Sequence, residues 1–65
     1  MNIQEVRVRL AAIEACKSEY DLPHELEDAL MRDFITEVAL RDDELGAVAR
    51  EILRSKEIDF VRYYA

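Results

Sequence analysis

The chain has 65 residues, a formal net charge of −6 and 51% apolar residues, with one glycine, one proline and one cysteine. That length supports a single domain over residues 1–65, and the composition is that of a folding chain rather than a disordered one. A lone cysteine excludes an intrachain disulfide, and apolar runs of only a few residues exclude a membrane span.

The charge is unevenly spread. Residues 1–17 sum to +1, residues 18–44 to −8 and residues 45–65 to +1. An acidic middle repels nucleic-acid phosphates and anionic membranes and attracts a basic protein surface. The first ten residues alternate charges with aliphatics, with no secretory leader. Together with the single thiol this predicts a reducing, cytoplasmic setting.

Ile3, Val6, Leu10, Ile13 and Tyr20 recur at 3–4–3 spacing, with Lys17 filling the remaining seam position. This predicts a first helix from Ile3 to about residue 18 with a narrow apolar stripe. Val8, Ala11, Ala12 and Ala15 make its other side small and fairly apolar. Cys16 falls at the edge of that side and reads as a small apolar filler. Glu5 and Arg9 stand four apart in the favourable order.

Pro23 sets the next boundary, because its ring disfavours a helical Leu22. Leu22 is therefore expected at the cap and Pro23 at the first helical position, where its missing N–H costs nothing. Glu25 would then reach back to the cap as half of a capping box. The second helix is predicted over residues 23–40. Leu26, Leu30, Met31, Phe34, Ile35 and Val38 cover about half of its circumference. A stripe that wide predicts two neighbours and a central position. Asp28–Arg32 and Glu37–Arg41 are expected i,i+4 pairs. Glu27 breaks the pattern by projecting into the middle of the apolar half, with His24 beside it.

Asp42 or Asp43 is expected to cap a third helix with Glu44 in its first turn. Leu45, Val48, Ala49, Ile52 and Leu53 form its core stripe, and Arg50, Glu51 and Arg54 are expected to face water. Gly46 costs about 1 kcal/mol there relative to alanine, and its lack of a side chain permits close backbone contact with a neighbour. In the tail, Ile58, Phe60, Arg62 and Tyr64 alternate as in a strand, but a strand without a partner is unstable. A turn near residues 55–58 is expected instead. Asp59 would then cap a short helix, and Phe60, Val61, Tyr63 and Tyr64 would fold back as a lid.

His24, Glu27 and Asp28 share one helical face. Three N/O ligands from a single turn rarely complete a metal shell, and acid–base work needs a pocket that so small a bundle hardly supplies. The favoured reading is a local polar network. In it Glu27, if covered, pairs with a tyrosine hydroxyl or a basic side chain from the tail. A contact surface for a partner is the competing one. The aromatic tail residues also suit such a surface.

"HELEDALMRDFITEVA" and "AREILRSKEIDFVRYYA" together resemble a group of short phage and mobile-element proteins of unknown function. The resemblance implies a small intracellular helical protein of viral origin. His24, Glu27, Asp28 and the "IDFVRYYA" tail are its recurring elements, and it carries no enzymatic role.

The expectation is therefore an all-α, three-helix bundle with a short aromatic C-terminal helix or lid, without a cofactor and with homodimerisation to enlarge a small core. The function expected is a non-enzymatic, acidic interaction protein binding a host or partner protein, with the acidic middle favouring a basic one. The contact residues expected are His24, Glu27, Asp28, Phe60, Arg62, Tyr63 and Tyr64. Two alternatives stand beside it. One is a DNA-binding, transcription-regulating module with Arg50, Arg54 and Lys56 on its recognition helix. The other is a metal-binding protein using His24.

Overall fold

The structure, a computed structural model, describes residues 1–61. It is all-α: α1 (Ile3–Ala15), α2 (Leu22–Val38) and α3 (Glu44–Leu53), followed by a 3-10 turn (Arg54–Glu57). No strand occurs among the described residues.

Local chemistry sets the helix ends. The Asn2 side chain accepts the Glu5 N–H at 2.8 Å and starts α1. α1 stops at Ala15, earlier than expected, and the Cys16 N–H donates to the Ile13 carbonyl at 3.2 Å. Lys17 and Tyr20 therefore leave the seam, and Tyr20 is exposed.

α2 begins one residue before the expected start. Asp21, not Leu22, holds the cap position, and Pro23 lies within the first two helical residues. Asp21 makes no side-chain capping bond; its carbonyl accepts the Glu25 N–H at 3.1 Å. Asp43 is the cap of α3, accepting the Gly46 N–H at 3.0 Å.

α2 lies between the other two helices, as its wide apolar stripe predicts. α1 packs on one flank and α3 on the other, and α1 and α3 do not meet among the described residues. The Cα trace measures 39 × 33 × 9 Å. Two stacked layers of helices need about 13 Å, from an axis separation of 8–10 Å plus the width of a helical Cα cylinder. The molecule is thus a single layer, not a closed three-helix bundle. Its radius of gyration is 13.8 Å, where a compact chain of this length has about 10.7 Å.

A layer one helix thick has little interior. Among the described residues the buried apolar ones are Cys16, Ala39 and Ala49, with Gly46 also buried in α3. The Cys16 thiol donates to the Ile13 carbonyl at 3.5 Å, which fits its reading as a filler. Gly46 sits so close to the turn before α3 that a Cβ there would overlap the Arg41 carbonyl.

Several polar side chains link one element to another while still partly exposed. Arg9 forsakes Glu5 and reaches across to Asp33 at 2.9 Å, tying α1 to α2. Glu37 meets the Met1 amino group instead of Arg41. Arg50 is exposed, as expected, but it is not idle. Its guanidinium donates to the Ala39 carbonyl at 2.7 Å and the Arg41 carbonyl at 3.0 Å, satisfying groups that the end of α2 leaves open.

Arg41 holds Asp43 through Nε at 3.0 Å and Nη2 at 2.5 Å. Hydrogen bonding from Arg41, and then from the Gly46 N–H, holds the Asp43 carboxyl below its usual range. Its contribution is therefore complete above the ordinary carboxylate range and is lost as pH falls through its lowered native value. Urea unfolding from pH 7 to pH 2 is expected to show Asp43→Asn less stable than the parent at pH 7. The gap should close in acid; a gap independent of pH would refute the linkage.

Candidate functional site

The helices of the layer present their apolar side chains to one side. α1 contributes Val6 there, with Ile3 and Leu10 three before and four after it on the same helical face. α2 contributes Leu30, Met31, Phe34 and Val38, and α3 contributes Leu45, Val48 and Ile52. Three shallow grooves run between these elements and all share Ile35. The first lies between α1 and α2 and is lined by Val6, Leu30 and Phe34. The second lies between α2 and α3 and is lined by Phe34, Val38, Leu45 and Val48. The third runs toward the C-terminal segment, past Asp28, Arg32, Ile52, Lys56 and Phe60. Met31 is 60% exposed and Phe34 55% exposed, in the middle of the central helix.

Glu27 stands on this surface. It is four residues before Met31 and seven before Phe34 on one helix, so the three share a side. Its carboxylate is exposed, not covered. Glu27 is therefore not a buried charge that requires a partner. The apolar half of α2 is covered only at its two edges, by α1 and α3, and Glu27 falls on the open strip between them. His24 and Asp28 are also exposed, on the first turns of α2. The structure brings Asp28 and Phe60 together along the third groove.

From Ile58 to Val61 the chain forms no helix, and Phe60 and Val61 are exposed, so the expected helix capped by Asp59 is absent from those residues. Arg62, Tyr63 and Tyr64 lie outside the described residues.

Of the three cations proposed for a nucleic-acid-reading helix, Arg50 and Arg54 make contacts within the chain. Arg50 is bound to carbonyls of the α2–α3 turn, and Arg54 pairs with Glu51 at 2.8 Å and Glu57 at 3.8 Å. Among the described residues no three His, Cys, Asp or Glu side chains gather as a metal would require, around His24 or elsewhere. Among them, too, no helix is long and apolar enough to cross a membrane.

Sequence reasoning identified the apolar residues of this surface but assigned them to a core. The width of the α2 stripe was the signal available, since two flanking helices in one layer cannot cover half of a helix. This chain matches no family model, no curated protein and no solved structure.

Proposed function

We propose that this chain is a small, non-enzymatic interaction protein whose working surface is the apolar side of the layer, centred on Met31 and Phe34. The observation that carries the reading is the exposure of Phe34 in the middle of the central helix, among exposed apolar side chains of α3. A contiguous apolar patch rimmed by charge marks a protein contact more often than a solvent surface. Aromatic side chains supply much of the binding energy at such contacts. A partner takes the place of the missing layer and so completes the bundle, with Phe60 at its edge.

The acidic middle segment biases the rim toward a basic partner, whose approach is faster at low salt. Within it Asp33, Glu37 and Asp43 are engaged by Arg9, the Met1 amino group and Arg41. The setting proposed is cytoplasmic, as the resemblance to short phage proteins implies.

Phe34→Asp and Thr36→Asp test the surface. Both positions are exposed in the same stretch of α2, but Thr36 lies on its opposite, polar side. The Phe34 variant is expected to weaken association, with a second copy or with another polypeptide, by about 100-fold, in the range of an interface hot spot. The Thr36 variant should change it by less than about threefold. Helicity by circular dichroism should be equal in the two. Equal affinities would refute the assignment of the surface.

A further inference from the structure

Resting on that reading, we infer that the apolar side is covered by a second copy of this chain, with the two α2 helices antiparallel about a two-fold axis at Phe34. The area fits this occupant. The chain exposes 5393 Å², where a compact monomer of 7.6 kDa exposes about 4,300 Å². The surplus, about 1,100 Å², is near what one partner buries in a stable interface, about 800 Å². A second layer of the same kind also supplies the thickness that one copy lacks.

Charge fixes the direction. Glu27 lies on the apolar strip, seven residues before Phe34. Arg41 stands seven residues after it, at the end where the chain winds on past Val38. There the Leu40 N–H donates to the Glu37 carbonyl at 3.2 Å and the Arg41 N–H to the Val38 carbonyl at 3.0 Å. With α2 antiparallel to its copy about Phe34, Glu27 of each chain comes opposite Arg41 of the other, whose Nε and Nη2 hold Asp43 and whose Nη1 faces the new carboxylate in this pairing, and Leu30 meets Val38. The two Phe34 rings meet on the axis. A parallel pairing would instead set Glu27 against Glu27 at the edge of a desolvated strip, where like charges are costly. A closed two-fold pairing is self-complementary in this way at no cost in new sequence.

The decisive measurement has two parts. Sedimentation equilibrium of the unmodified chain from 1 to 300 µM is expected to give a dimer that dissociates on dilution, with a melting temperature that rises with concentration. Cross-linking then fixes the geometry. Glu27→Cys and Arg41→Cys chains, each also carrying Cys16→Ala, are treated with a short bis-maleimide. The mixture is expected to cross-link at least tenfold more than either chain alone, because like positions stand about 21 Å apart along the antiparallel pair. Three results would overturn the inference. A monomer at 300 µM would do so, as would cross-linking of Glu27→Cys to itself or a dimer indifferent to Phe34→Asp. A monomer whose binding to other polypeptides is abolished by Phe34→Asp would remove the second copy as occupant and leave the interaction surface standing.

Discussion

Ala49→Asp is expected to abolish the fold, while Ala47→Asp, two residues earlier in the same helix, leaves stability within about 0.5 kcal/mol of the parent. Ala49 is 4% exposed and lies against Phe34, Ile35 and Val38, where α3 meets α2. A carboxylate placed there must be stripped of water, at an effective cost of several kcal/mol. A chain of this size rarely holds more than about 3–5 kcal/mol in total. The cost therefore equals the whole stability rather than a share of it. Ala47 is exposed in the first turns of α3, where the helix dipole favours an anion. Circular dichroism with urea titration of both variants decides the matter. Equal stabilities would mean that α3 does not pack through Ala49.

The second large effect reverses the sign that helix propensity gives. Alanine in place of a mid-helix glycine normally stabilises by about 1 kcal/mol. At Gly46 a methyl group would overlap the Arg41 carbonyl, a backbone atom that cannot swing aside as a side chain would. The turn would have to open. That turn also carries the Asp43 cap, the Arg41–Asp43 pair and the two carbonyls held by Arg50. Gly46→Ala is therefore expected to destabilise by about 2–3 kcal/mol net of its propensity gain. A rise in urea midpoint for this variant would show that the turn yields easily.

Both effects fall on the α2–α3 corner, the best-braced part of the molecule. The α1–α2 contact rests on half-buried Val6 and Ile13 and on the partly exposed Arg9–Asp33 pair, and exposed ion pairs contribute little. The two contacts therefore differ in what a partner can change. Covering the apolar side is expected to matter most for the position of α1.

The sequence by itself determined the helices, their order and the central place of α2. Asn2, Asp43, Pro23 and the 3.6-residue recurrence of apolar side chains act within a few residues, so their effects need no knowledge of the rest of the fold. Gly46 marked a place where backbone can approach closely, and the structure supplied the neighbour, the Arg41 carbonyl. Only the tertiary structure decided which apolar side chains are covered. A helical stripe reports how much surface must leave water, but not whether this chain's own helices or another molecule will cover it. α1 and α3 flank α2 without meeting, and that left Phe34 and Glu27 open together where the sequence alone implied a core. The partners of Arg9 and Arg50 were decided in the same way. A long cationic side chain is drawn to whatever acceptor the packing brings near it, and the packing brought Asp33 and the α2 carbonyls.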